Sequence, residues 1–168
     1  MEDEILVLKS IFNEDFLSID NENFDLIIRF DSLPNKLRLI HEESNTELSH
    51  LPSITLRIKY KTIYPPDYCI LCDYLTSEQL AFIVDQMDYM VIPGEVVVYN
   101  WIEFIRDYFY RMDNQLVLSS NESSRNDRRF MTNYDEIGSK RIYEQLVEYN
   151  QMQTQFIFDQ TSHSCPIW

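Results

Sequence analysis

Ile54-Thr55-Leu56-Arg57-Ile58-Lys59-Tyr60 alternates apolar and polar residues without a fault, and Tyr64-Pro65-Pro66 follows shortly after. Alternation at period two marks a half-buried antiparallel strand. Two successive prolines remove two ladder donors and fix two φ angles, so the strand must stop there and turn. Tyr68-Cys69-Ile70-Leu71-Cys72 then resumes as a brief fourth strand. Upstream, Phe24, Leu26, Ile28 and Phe30 alternate with Asp25, Ile27 and Arg29, a first strand with one strongly apolar face. Ser32-Leu33-Pro34-Asn35 reads as a turn, Leu37 to His41 as a short second strand, and the polar stretch from Glu42 to His50 as a loop.

Helices flank these strands. Glu2 to Phe12 places Ile5, Leu8, Ile11 and Phe12 on one face, with Glu2, Asp3 and Glu4 in the first turn, where they favour the positive end of the dipole. Asn13-Glu14-Asp15 breaks that helix. Thr76-Ser77-Glu78-Gln79 has the form of a capping box and predicts a helix to about Met90 with Leu80, Ile83, Val84 and Met87 inward. Pro93-Gly94 ends it, and Val96 to Tyr99 reads as a short extended run. Trp101, Ile105, Tyr108 and Met112 step at helical spacing, so a further helix covers Asn100 to Met112.

The composition changes at Asp113. Residues 113–135 read as a polar linker, and 136–160 as an amphipathic helix carrying Ile142, Leu146, Tyr149, Met152 and Phe156. That helix has two possible fates: packing on the domain, or binding another chain. The expected architecture is α+β, a four-stranded antiparallel sheet with helices packed on one face over residues 1–112, then the linker, the helix and a short end segment, 161–168.

The chain has 168 residues, is 45% hydrophobic and carries a formal net charge of −14. That apolar fraction supports a core and argues against disorder throughout. An acidic surface repels phosphate, so neither nucleic acid nor anionic membrane is an expected partner. The start of the chain lacks the basic and apolar regions of a signal peptide, and no run approaches the length of a membrane span. Cytosol or nucleus is the expected location, with the three cysteines as reduced thiols and the Asn121-Glu122-Ser123 glycosylation pattern silent.

Taken together, these elements resemble an RWD domain. The resemblance rests on Glu2-Asp3-Glu4-Ile5-Leu6 running to Ser10-Ile11-Phe12 and Asp15-Phe16, and on Leu56 to Tyr60 followed by Tyr64-Pro65-Pro66. Gly94 to Tyr99 leading into Trp101-Ile102-Glu103-Phe104-Ile105 completes it. The family usually has a further proline three residues after Tyr-Pro-Pro, and here Cys69 stands in its place. Leu51 to Leu56, Tyr74 to Leu80 and Val97 to Trp101 are similar to the N-terminal RWD region of RING-in-between-RING (RBR) ubiquitin ligases. In those proteins a linker and a helix lead to the first Cys-x-x-Cys of a zinc-binding RING. Cys165 matches the first zinc cysteine, whereas Trp168 stands where the second belongs. The chain therefore resembles the non-catalytic front of such a ligase, truncated or diverged, with no cofactor of its own and zinc only if a RING follows in a longer product. The resemblance implies a protein partner from the ubiquitin pathway or from general-control, ribosome-associated signalling. Two alternatives stay open: a stand-alone RWD adaptor, and an inactive relative of ubiquitin-conjugating enzymes that holds ubiquitin noncovalently.

Candidate chemistry is sparse. Cys69 and Cys72 form a Cys-x-x-Cys, but residues three apart on a strand face opposite sides and cannot share one ion, so both read as small core thiols. One cysteine at 165, with His163 nearby, is half a zinc site at best. No His-Pro-Asn precedes a cysteine, as thioester chemistry in the ubiquitin-conjugating fold requires, and no base adjoins Cys69 or Cys72. The acidic runs read as solvated faces, with a docking surface at Glu2, Asp3, Glu14 and Asp15 as the sharper reading. Tyr89, Tyr99, Tyr108 and Tyr110 are candidate aromatic anchors, Tyr108 better placed in the core.

Overall fold

Eight strands and five helices make up the computed structural model, which describes residues 2–30, 33, 35–112, 115–118 and 127–163. Helix α1 spans Glu2–Phe12 and passes through a 3-10 turn, Asn13–Asp15, into strands β1 (Phe16–Ser18) and β2 (Asn23–Phe30). Then come β3 (Leu37–His41), β4 (Ser44–Leu48), β5 (Leu51–Lys59), β6 (Asp67–Leu71), α2 (Ser77–Tyr89) and α3 (Val98–Arg111). The chain continues through β7 (Gln115–Val117), β8 (Phe130–Met131), the single turn α4 (Tyr134–Ile137) and the long α5 (Ser139–His163).

The alternation read around Ile58 sets the central register. In the antiparallel β2/β5 pair Phe24 lies opposite Ile58, Leu26 opposite Leu56 and Ile28 opposite Ile54, and all six side chains are buried. The intervening residues take the other face, where Arg57 grips Asp25 bidentately at 2.8 and 2.9 Å. A slip of one residue would exchange the two faces. Helices α2 and α3 cover the apolar face: Trp101 is fully buried, sits 4.6 Å from the Tyr68 ring and donates its indole N–H to the Met87 carbonyl at 2.9 Å. The capping box at Thr76 and Gln79 forms in both directions, and Leu80, Ile83, Val84 and Met87 are all buried.

The fold class is α+β, but the sheet differs from the expected four antiparallel strands. A five-stranded sheet runs β1-β2-β5-β6-β8, and a separate three-stranded sheet runs β4-β3-β7. Two pairings, β6/β8 and β3/β7, are parallel. The supposed loop from Glu42 to His50 contains β4. It closes a tight hairpin on β3 with Glu42 at φ 52, and Leu48 is its one fully buried side chain, too weak a pattern to betray a strand. Val98 and Tyr99, expected to be extended, already belong to α3, whose Trp101 N–H bonds back to Val97.

The stretch expected as a linker, 113–135, contributes to both sheets. Leu116 and Leu118 are buried beside β3, and Phe130 is buried beside β6. Arg129 staples the return to the body: its guanidinium meets Asp85, Asp88 and Asp127 at 2.9, 2.6 and 2.7 Å. The helix expected over 136–160 runs Ser139–His163 and packs its first half on the fold, so helices lie on both sides of the main sheet. Ile142 and Leu146 are buried and share a cleft of about 310 Å³ with Thr55, Leu71 and Tyr74. Ser139 Oγ lies 3.1 Å from His41 Nε2, Thr46 bonds Tyr143 at 2.5 Å, and the Asn150 side chain accepts the Ser49 and His50 N–H groups at 2.7 and 3.1 Å.

Candidate interaction surface

The acidic start of α1 divides into two kinds of residue. Glu2 and Asp3 are exposed, whereas Glu4 is only 8% exposed. Glu4 faces the body in line with Leu8 and Phe12, one helical turn apart. Its carboxylate accepts the Tyr60 hydroxyl at 2.5 Å, the Tyr64 hydroxyl at 3.3 Å and the Val98 N–H at 3.4 Å. Tyr64 in turn accepts the Val97 N–H at 2.6 Å. A buried carboxylate persists only where donors replace water, and here three elements supply them. Burial, aided by the Glu4 carboxylate, raises the Tyr60 hydroxyl well above its ordinary pKa. Burial likewise raises Tyr64 to about 12.

The Tyr-Pro-Pro element therefore has a structural task beyond ending β5. It turns the chain through a cis Tyr64-Pro65 bond and brings the Tyr64 hydroxyl to both α1 and the start of α3. Glu4 is the residue that sequence reasoning missed. An acidic first turn looks uniformly solvated, and only its place one turn before Leu8 signals burial.

With Glu4, Leu8 and Phe12 turned inward, α1 presents Glu2, Asp3, Leu6, Val7, Lys9 and Ser10 outward, with Leu6 63% and Val7 55% exposed and Lys9 over the Phe16 ring. Ile11, expected on the inner face, is exposed at its margin, because the buried stripe follows steps of four from Glu4 and leaves it to one side. Glu14 is exposed just beyond. Asp15 is partly buried and held by Arg29 at 2.5 Å, so it is engaged within the fold. Phe12 contacts Tyr99 and lies under Arg106, which carries the surface on to α3. Among the tyrosines considered as anchors, Tyr89 and Tyr99 are exposed, while Tyr108 and Tyr110 are partly buried.

The thiols are placed as the alternation requires. Cys69 lies opposite Arg57 on the outer face and Cys72 is buried on the inner side. Burial raises both thiols, Cys72 to about 12, the opposite of what a nucleophilic cysteine needs. Among the described residues no three His, Cys, Asp or Glu side chains are grouped to hold a metal ion. Nor is any described helix long and apolar enough to cross a membrane. Cys165 and Trp168, the two positions compared with a RING, lie outside the described residues.

The model of the RWD domain matches residues 1–109, about two thirds of the chain, and the protein belongs to this family. No curated protein and no solved structure matches it. RWD domains share the ubiquitin-conjugating fold without its active site and serve in protein–protein interaction.

Proposed function

We infer that this chain is the recruiting module of an RBR-type ubiquitin ligase relative and holds a partner protein on the outward side of α1. The observation that carries this reading is the division of the acidic turn. Glu4 is consumed by Tyr60, Tyr64 and Val98, while Glu2 and Asp3 stay in solvent beside the apolar pair Leu6 and Val7, with the exposed Lys9 over the Phe16 ring one turn on and Glu14 exposed past the helix end. An apolar centre with acids at the helix start and one lysine further along suits a partner with basic groups facing Glu2 and Asp3, and these charges govern the association rate more than the affinity. Partners of the ubiquitin pathway or of general-control, ribosome-associated signalling, in cytosol or nucleus, fit the family resemblance. That resemblance includes the N-terminal part of the androgen-receptor-associated RBR ligase.

Affinity purification from cell extract, with wild type beside an Asp3→Lys, Val7→Glu double variant, tests the surface. A protein recovered with wild type and lost with the variant supports it; ribosome and proteasome background alone with both removes it. The ligase context has a separate test. A Cys and His series encoded after Trp168 supports it, whereas a stop codon there favours a stand-alone adaptor.

A further inference from the structure

Helix α5 outruns the surface that supports it. Its body-facing stripe, Ile142, Leu146 and Tyr149, continues at the same helical spacing through Gln153, Phe156, Ile157 and Gln160. Ile142 and Leu146 are buried, whereas Phe156 and Ile157 are 57% and 45% exposed. From Gln151 to His163 the helix extends for about 20 Å. In a chain of net charge −14, this half contains one acid, Asp159, which accepts the Gln155 amide at 2.8 Å, and no Lys or Arg.

We propose that the distal half of α5 pairs antiparallel with the same half of a second copy, Phe156 of each against Ile157 of the other, and Gln153 against Gln160. Three arguments select a second copy as the occupant. An antiparallel register centred between Phe156 and Ile157 maps the stripe onto itself, as a two-fold interface requires. Gln153 and Gln160 fall opposite one another in that register, so uncharged side chains rather than like charges flank the apolar pair. Finally, charge disfavours self-contact over most of this acidic chain but not over the nearly neutral distal helix. The antiparallel overlap holds the two bodies roughly 20 Å apart, beyond two Debye lengths at physiological ionic strength. A strongly basic partner finds a single carboxylate there. The overlap is short beside the roughly 800 Å² per partner of a standard interface, so the pairing is a weak, concentration-dependent equilibrium.

Sedimentation of the whole chain over a wide concentration range tests this. The mass should rise from 20.2 kDa towards twice that value. Phe156→Glu should raise the midpoint concentration at least ~10-fold, each charge being forced against an apolar partner. Because Phe156 is exposed, melting of the dilute variant should be unchanged. Register is read by cross-linking in a Cys69→Ser, Cys165→Ser background. Copies with Gln153→Cys mixed with copies with Gln160→Cys should form an interchain disulfide, and Gln153→Cys alone should not. A chain that stays monomeric throughout overturns the proposal, as does dimerisation indifferent to Phe156→Glu. Cross-linking of Gln153→Cys to itself, which means a parallel pair, or a monomer that uses this face for a different protein, also overturns it.

Discussion

Helices α1 and α5 both turn large apolar side chains to solvent, but they are held in opposite ways. Helix α1 is short, and a buried carboxylate shared by Tyr60, Tyr64 and Val98 fastens it. Helix α5 is more than twice as long and fastened over its first half only, by Ile142 and Leu146 with polar ties at Ser139, Tyr143 and Asn150. The exposed side chains of α1 mingle with acids, while those of distal α5 mingle with glutamines. The difference teaches that apolar periodicity tells which side of a helix seeks cover, and nothing about how far that cover extends.

The severest way to break the comparison is to remove the platform beneath both helices. Ile58 is fully buried and paired with Phe24 and Tyr68 in the middle strand. Ile58→Asp puts a carboxylate there without donors, at a cost of roughly 4 kcal/mol or more, a large part of the stability of a domain this size. The expected outcome is loss of the cooperative melting transition. An unchanged melting curve would refute the register of β2 and β5.

Alkaline pH probes the attachment of α1 by chemistry. The Tyr60 and Tyr64 hydroxyls donate to Glu4, so losing their protons sets phenolate against carboxylate. Their folded pKa values lie above the ordinary 10, that of Tyr64 at about 12. A raised folded pKa means stabilisation that is complete below pH 10 and is lost as pH climbs through the folded value. The buried Cys72 thiol, raised from 9.0 to about 12, adds to the loss over the same range. Tyrosinate absorbance followed with far-ultraviolet circular dichroism should show unfolding between about pH 10 and 12. A chain still folded after Tyr60 and Tyr64 have ionised contradicts the network.

Much of this was legible in the sequence, and the failures share a cause. Strands β2, β3, β5 and β6, the capping box at Thr76 and the inner face of α2 follow from local pattern, because each residue's neighbours in sequence share its environment. Strands β7 and β8 were hidden within a polar stretch because each is short and borrows its pairing from residues far away, Leu39 for Leu116 and Ile70 for Phe130. Hairpin β3/β4 eluded the pattern because only Leu48 of β4 is buried. Of the candidate surface, the acids were visible, but the turning inward of Glu4 was not. Its donors come from residues 56, 60 and 94 positions away.

A milder change isolates the foothold of α5. Leu146 is 2% exposed between the helix and the cleft beside Thr55 and Leu71. Leu146→Ala removes buried methyls and leaves a cavity, worth about 3 kcal/mol. Hydrogen exchange should speed up in Ser139–Asn150 while α2 and α3 keep their protection, since α5 packs mainly on α4 and on strands β3, β4 and β5. Equal loss of protection in α2 would show that α5 and the central core open as one unit.

The finest comparison lies within one turn of α1. Glu4→Gln keeps the shape of the side chain and one acceptor oxygen, but removes the charge and the second acceptor. It also turns an amide N–H₂ towards the Val98 N–H or the tyrosine hydroxyls. Charge-assisted bonds are worth more than neutral ones, so the expected cost is about 2 kcal/mol in urea unfolding at pH 7. Glu2→Gln, two residues away and exposed, should change stability by no more than about 0.5 kcal/mol. If Glu2 serves the partner, that same substitution should still slow capture, and increasingly so as salt is lowered, because the charge lost is a screened, long-range one. Equal stability losses at the two positions would mean that Glu4 is as solvated as its neighbours. The donors grouped around its carboxylate would then contribute nothing to holding α1 in place.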